Sequence, residues 1–152
     1  MSGKRELFVG GQWVAAKNKA KFPVYNPSTG EVWAEVADAG RADAAAAIEA
    51  AAAAQPAWAA LPHSRRAALL SKCADVLEAR AKEFQAALID EGGAWVGKTM
   101  FETGYSVGVY RASAAAAYQV TGEILPSDHG KLSLVVREPL GVVSVISPWN
   151  FP

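Results

Sequence analysis

The sequence holds a single cysteine, Cys73, which excludes an internal disulfide and fits a reducing compartment. Histidine is nearly as scarce. His63 and His129 lie far apart, and no His, Cys or carboxylate cluster stands at ligand spacing, so a metal site has no support. Charge of neither sign prevails: 15 Lys and Arg balance 15 Asp and Glu. Without a basic stripe there is no electrostatic footprint for nucleic acid and no polybasic membrane anchor. Long apolar runs are missing too. The Ala-rich stretch 42–61 is broken by Asp43, Glu49, Gln55 and Pro56, so it is no membrane span, and the first residues, Met1 to Glu6, carry no apolar signal-peptide core. Glycine loops of the G-x-G-x-x-G or Walker A kind are absent. These exclusions leave a soluble cytoplasmic protein of ordinary single-domain length, long enough to bury a sizeable core.

What is present begins with turn chemistry. Leu7-Phe-Val and Gln12-Trp-Val flank Gly10-Gly11, a pair suited to a two-residue hairpin. Residues 22–25 and 32–36 flank Asn26-Pro-Ser-Thr-Gly30, where Pro27 presets φ and Gly30 can take positive φ. Helices follow. Gly40-Arg-Ala-Asp43 opens the first, whose alanines have the highest intrinsic propensity. Pro56 is expected to disrupt it, leaving Trp58 and Leu61 as an irregular exit. A second helix starts after Ser64, with Ala67, Leu70, Cys73, Ala74 and Leu77 at helical spacing. Cys73 on that stripe is expected to be a small buried hydrophobe, because a nucleophile needs an electropositive setting and a nearby base. A third helix turns Phe84, Ala87 and Leu88 inward and stops at Gly92-Gly93. The fourth, over 94–119, contains Gly97, Gly104 and Gly108. Each costs about 1 kcal/mol against alanine in a helix interior, which calls for close packing or a ligand tunnel.

Two strand patterns close the chain. Over 131–137, Leu132, Leu134 and Val136 share a face with no cover in the sequence, an edge that invites pairing with another chain. Residues 142–146 form a short, mostly β-branched run between a Pro-Leu-Gly turn and Ser147-Pro148. That pattern predicts a strand buried on both faces, as in the parallel sheets of α/β proteins, where ligands bind beyond the carboxyl ends. At that end sits Trp149-Asn-Phe-Pro152, stiffened by Pro148 and Pro152. Asn150 is therefore either an amide aimed at an oxyanion or an ordinary hydrogen bonder of its own turn. A parallel sheet needs crossover helices and further strands, and none follows, so the chain reads as the front part of a longer protein.

The run Arg137-Glu-Pro-Leu-Gly-Val-Val-Ser-Val-Ile-Ser-Pro-Trp-Asn-Phe-Pro152 resembles the entry to the cofactor sheet of NAD(P)-dependent aldehyde dehydrogenases. The Gly-Gly-Gln-Trp hairpin, Asn26-Pro-Ser-Thr-Gly-Glu31, the Ser64-Arg-Arg helix and the turn from Glu91 to Lys98 stand in the family's order. Glu91-Gly-Gly-Ala-Trp95, where many members carry Glu-Ser-Gly-Lys-Pro, and Gly122-Glu-Ile-Leu-Pro-Ser-Asp-His-Gly130 are most similar to the benzaldehyde, vanillin and salicylaldehyde dehydrogenase group.

The resemblance implies an α/β fold, the N-terminal part of an aldehyde dehydrogenase. Residues 1–121 would form the hairpin arm and helical layer of the cofactor-binding domain. Residues 122–138 would be the oligomerisation strand region of a homo-oligomer, and 139–152 the first strand of the Rossmann-like sheet. Asn150 would hydrogen-bond the aldehyde oxygen as a cysteine thiolate attacks the carbonyl carbon. Ile146, Ser147, Pro148, Trp149 and Asn150 would line the NAD or NADP pocket, and Phe151 would flank the substrate tunnel. The family's nucleophile and general base lie downstream of this stretch, and Cys73 does not occupy the nucleophile's place, so these residues alone are expected to be inactive. The alternatives are a non-catalytic module pairing through its exposed strand, and a dehydrogenase of aliphatic aldehydes or semialdehydes.

Overall fold

Two hairpins begin the chain in the computed structural model, which describes residues 5–152. The signal-peptide reading at Met1 to Lys4 lies outside the described residues. Strands β1 (Leu7–Val9) and β2 (Gln12–Val14) pair antiparallel, placing Phe8 opposite Trp13. Gly10 and Gly11 join them at φ of 59° and 80°, the left-handed pair whose twist matches that of the strands. Strands β3 (Lys21–Tyr25) and β4 (Val32–Ala37) pair antiparallel around the Asn26 loop, with a register shift between Val24 and Tyr25.

Helix α1 (Arg41–Ala59) is fixed at its start by Asp43. Its carboxylate accepts the Gly40 N–H and the Lys17 N–H, both at 2.9 Å, tying the strand region to the helix. The bond from Gly40, followed by that from Lys17, holds this carboxyl below its ordinary value of 3.8. The expected break at Pro56 does not occur: the helix continues through it to Ala59, and the Ala60 N–H closes the last turn on the Pro56 carbonyl at 3.0 Å. Proline's fixed φ is compatible with a helix. The bond it forfeits, to the Ala52 carbonyl, lies on an exposed face where water can replace it.

Helices α2 (His63–Ala79), α3 (Ala81–Gly92) and α4 (Val96–Ala116) form a layer in which α2 and α3 both pack on α4. Ala67 and Ala74 of α2 are buried, as are Val107 and Ala114 of α4. Gln85 of α3 donates to the Thr103 hydroxyl of α4 at 3.0 Å. Helix α3 ends on Gly93 at φ 65°, with the Gly93 and Ala94 N–H groups returning to the Ile89 and Leu88 carbonyls, the stop that Gly92-Gly93 predicts.

Four expectations are corrected here. Cys73 is exposed rather than buried, because the apolar face of α2 borders an open groove. Phe84 is exposed along the same groove. Helix packing within this chain does not explain the glycines of α4: a Cβ on Gly104 or Gly108 would meet nothing, and one on Gly97 would strike the ring of Trp95, only two residues away. The run 142–146 forms no strand. Val145 is 81% and Ile146 92% exposed. A strand requires a partner edge for its N–H and C=O groups, and no described segment offers one to this run.

At the far end, β5 (Glu123–Leu125) and β6 (Ser133–Val135) pair antiparallel as an isolated hairpin, and the strand expected over 131–137 contracts to three residues. Its apolar side chains stay uncovered, with Ile124, Leu132, Leu134 and Val136 all exposed. The mixed α/β class stands, but the sizeable core does not. The buried apolar residues among those described are Ala16, Ala34, Ala67, Ala74, Val107 and Ala114. The accessible surface is 11322 Å², against about 7400 Å² for a compact monomer of this mass. The apolar faces have formed without being covered.

Candidate functional site

Pro148, Trp149, Asn150 and Phe151 make one turn, closed by the Phe151 N–H donating to the Pro148 carbonyl at 3.1 Å. Pro148 fixes its own φ and Pro152 restrains Phe151, so the turn is stiff from both sides. The run leading into it passes α1, where Gly141, Val142 and Val143 lie near Ala51, Ala54 and Trp58.

Phe151 anchors the turn to α4. Its ring meets Phe101 edge-on, centroids 6.2 Å apart at 87°, and Phe101 in turn stacks on Tyr105 at 5.9 Å. Lys98 Nζ lies 5.0 Å from the Phe151 centroid and pairs with the Glu102 carboxylate. Glu102 is buried together with Thr99 and Thr103, an unusual polar content for a helix face. All of it is satisfied: the Thr99 hydroxyl donates to the Val96 carbonyl at 2.8 Å and Thr103 to the Thr99 carbonyl at 2.9 Å.

Asn150 itself is exposed, and its amide makes no hydrogen bond among the described residues. The other two asparagines behave differently. Asn26 Oδ1 accepts the Ser28 N–H at 2.8 Å and the Thr29 N–H at 3.3 Å, and Asn18 Oδ1 accepts the Ala20 N–H at 2.9 Å. Ile146, Ser147, Pro148 and Trp149 are exposed on the same run. Beside the turn, a groove of about 760 Å³ opens between α2, α3 and α4, lined by Leu69, Cys73, Val76, Phe84 and Tyr110 and reached by Pro152. Asn150 does not line it.

The model of the aldehyde dehydrogenase family matches residues 13–152. The chain belongs to the aldehyde dehydrogenase family. It is 43% identical over 149 residues to the vanillin dehydrogenase of Pseudomonas sp. (strain HR199 / DSM 7063), covering 96% of this chain and 30% of that protein. It is similar to the salicylaldehyde dehydrogenase from Pseudomonas putida G7, solved in complex with salicylaldehyde, with a TM-score of 0.86 and 34% identity over 90% of this chain and 28% of that one. Succinate-semialdehyde dehydrogenase from Burkholderia pseudomallei matches with a TM-score of 0.94 and 36% identity, over 98% of this chain and 31% of that one. The aldehyde dehydrogenase chain described here thus spans about 30% of the length of the curated relatives it matches. The vanillin and salicylaldehyde relatives fall in the group that the Glu91 and Gly122 stretches suggest.

Sequence reasoning missed Lys98, Phe101 and Glu102 as neighbours of the turn. Their signal is spacing: Lys98 and Glu102, like Phe101 and Tyr105, stand four apart on one helix and so share a face.

Proposed function

We propose that the protein to which these residues belong oxidises an aromatic aldehyde to a carboxylic acid with NAD+ or NADP+. In this reading Asn150 donates the hydrogen bond that stabilises the oxyanion. The observation carrying it is that the whole Asn150 amide, N–H and oxygen alike, is exposed and unpartnered among the described residues on a turn closed by backbone. Asn18 and Asn26 spend their side-chain oxygens on their own turns, whereas the Asn150 turn is closed by backbone alone. An amide left free on a stiff turn can meet a developing negative charge without reorganising. A cysteine thiolate outside these residues attacks the carbonyl carbon to give a thiohemiacetal. Cys73, on the groove face of α2, is not that nucleophile, and residues 1–152 alone are inactive.

The donor set fits a dinucleotide. Ile146 and Trp149 present exposed apolar and flat surface, and Ser147 presents a hydroxyl between them. These residues, with Pro148 and Asn150, would hold NAD(P)+, which supplies the hydride acceptor when bound. The aromatic substrate class is supported by the Phe101, Tyr105 and Phe151 cluster beside Asn150 and by the vanillin and salicylaldehyde relatives. Phe151 flanks the substrate. A second reading, a semialdehyde substrate, is favoured by the succinate-semialdehyde dehydrogenase match. The exposed β5–β6 hairpin serves as an arm between subunits of a homo-oligomer, and a cytoplasmic location belongs to the same reading.

The test is Asn150→Ala in the dehydrogenase that carries these residues. Turnover should fall by about 10²–10³, equivalent to about 2.7–4 kcal/mol, far more than NAD(P)+ affinity falls. Equal losses in both would make Asn150 structural. Purified residues 1–152 should show no aldehyde oxidation, and turnover that survives Asn150→Ala would overturn the reading.

A further inference from the structure

We infer that Lys98 is a positioning residue: paired with Glu102, it clamps the Phe151 ring and thereby sets where the Asn150 amide points. The inference rests on the oxyanion reading of Asn150. Residues 98, 101, 102 and 105 lie at helical neighbour spacing on α4. From that face Lys98 presents its ammonium to Phe151 at 5.0 Å while Phe101 meets the same ring edge-on at 6.2 Å.

A lysine on its own is a poor fixture, since its four-carbon stem is flexible. Here the Glu102 carboxylate removes that freedom. Its side chain is 8% exposed and that of Lys98 23%, so the pair lies largely out of water, where opposite charges hold each other firmly and attraction to a ring face is strongest. Glu102 thus fixes the ammonium, and the ammonium fixes the ring.

The ring is joined to the proposed chemistry by a single peptide unit. Phe151 follows Asn150, and its N–H closes the turn on Pro148. That bond encloses Asn150 within the turn, so a shift of Phe151 carries Asn150 with it. Oxyanion donors act over a narrow range of distance, so loss of the clamp lowers turnover without removing a binding contact.

The experiment compares Lys98→Met, Lys98→Arg, Phe151→Leu, the Lys98→Met/Phe151→Leu pair and Asn150→Ala in the active dehydrogenase that carries these residues. Lys98→Met should lower kcat about tenfold, about 1.4 kcal/mol at the barrier. The Kd for NAD(P)+ should stay within about twofold, and KM for aldehyde should change less than kcat. Lys98→Arg, which keeps the cation, should restore most of the loss. In the Phe151→Leu background, Lys98→Met should cost less than about twofold, since the ring it acts through is gone. Glu102→Gln keeps the shape while releasing the ammonium and should lower kcat in the same direction; it decides the matter if Lys98→Met does not fold. Unchanged kcat in Lys98→Met beside a large loss in Asn150→Ala overturns the clamp and leaves the oxyanion reading standing. The same loss with and without Phe151 also overturns the clamp. A silent Asn150→Ala overturns both.

Discussion

The α2–α4 contact and the run 139–152 are both apolar, yet one is packed and the other stands in solvent. Ala74, in the contact, is 0% exposed, while Val145, in the run, is 81% exposed. Composition does not explain the difference, because Val142-Val-Ser-Val-Ile146 is more hydrophobic than the alanine face of α2. What differs is where each backbone finds its hydrogen bonds. A helix satisfies its own N–H and C=O groups, so one neighbouring helix is enough to bury its stripe. A central strand depends on partners along both edges, and without them its side chains have no surface to close on. Hydrophobicity says that a residue belongs inside something; the supply of backbone partners decides whether it can be inside this chain.

That comparison can be broken at either end. The largest stability effect should come from Ala74→Leu, which forces three extra carbons into the α2–α4 contact and should cost about 1–3 kcal/mol, read from the urea midpoint of residues 1–152. No loss would mean that the two helices are not closely packed. A smaller effect belongs to Asp43→Asn, which keeps one acceptor where the carboxylate serves two N–H groups. Its pH dependence has a definite sign. The folded pKa is depressed, so the contribution is fully present above the unfolded carboxylate value and is lost as pH falls through the folded one. Acid titration of the midpoint should therefore be flatter in Asp43→Asn than in the parent, and parallel titrations would remove Asp43 as a cause. The smallest effect should be Val145→Ala, within about 0.5 kcal/mol in residues 1–152. In the longer dehydrogenase proposed above, the same change should cost about 1.5 kcal/mol or more if that segment is covered there. Equal values in the two proteins would remove the contrast.

Local chemistry was readable in advance, whereas features that depend on a distant partner were not. Gly10-Gly11, the Asn26 loop and the Gly93 stop declare themselves because the conformation each requires is confined to a few adjacent residues. Pro56 misled because its rule concerns a lost bond, and the structure loses that bond on an exposed face. Cys73 and the run 142–146 misled for a shared reason: periodicity identifies an apolar face but not whether anything covers it. At the candidate site, the stiffness of the Asn150 turn was evident from its prolines. The support from Lys98 and Phe101 was hidden, since α4 and the turn meet only through the tertiary fold.

The layer formed by α2, α3 and α4 draws on residues 63–116 alone, and this has a consequence during synthesis. Contacts of short loop closure form early and quickly, so the layer can assemble on the ribosome before β5 and β6 have been translated. Nothing in that layer covers the groove with Leu69, Val76 and Phe84, which is open to water. A nascent chain at that stage therefore shows an apolar surface of the kind that chaperones bind.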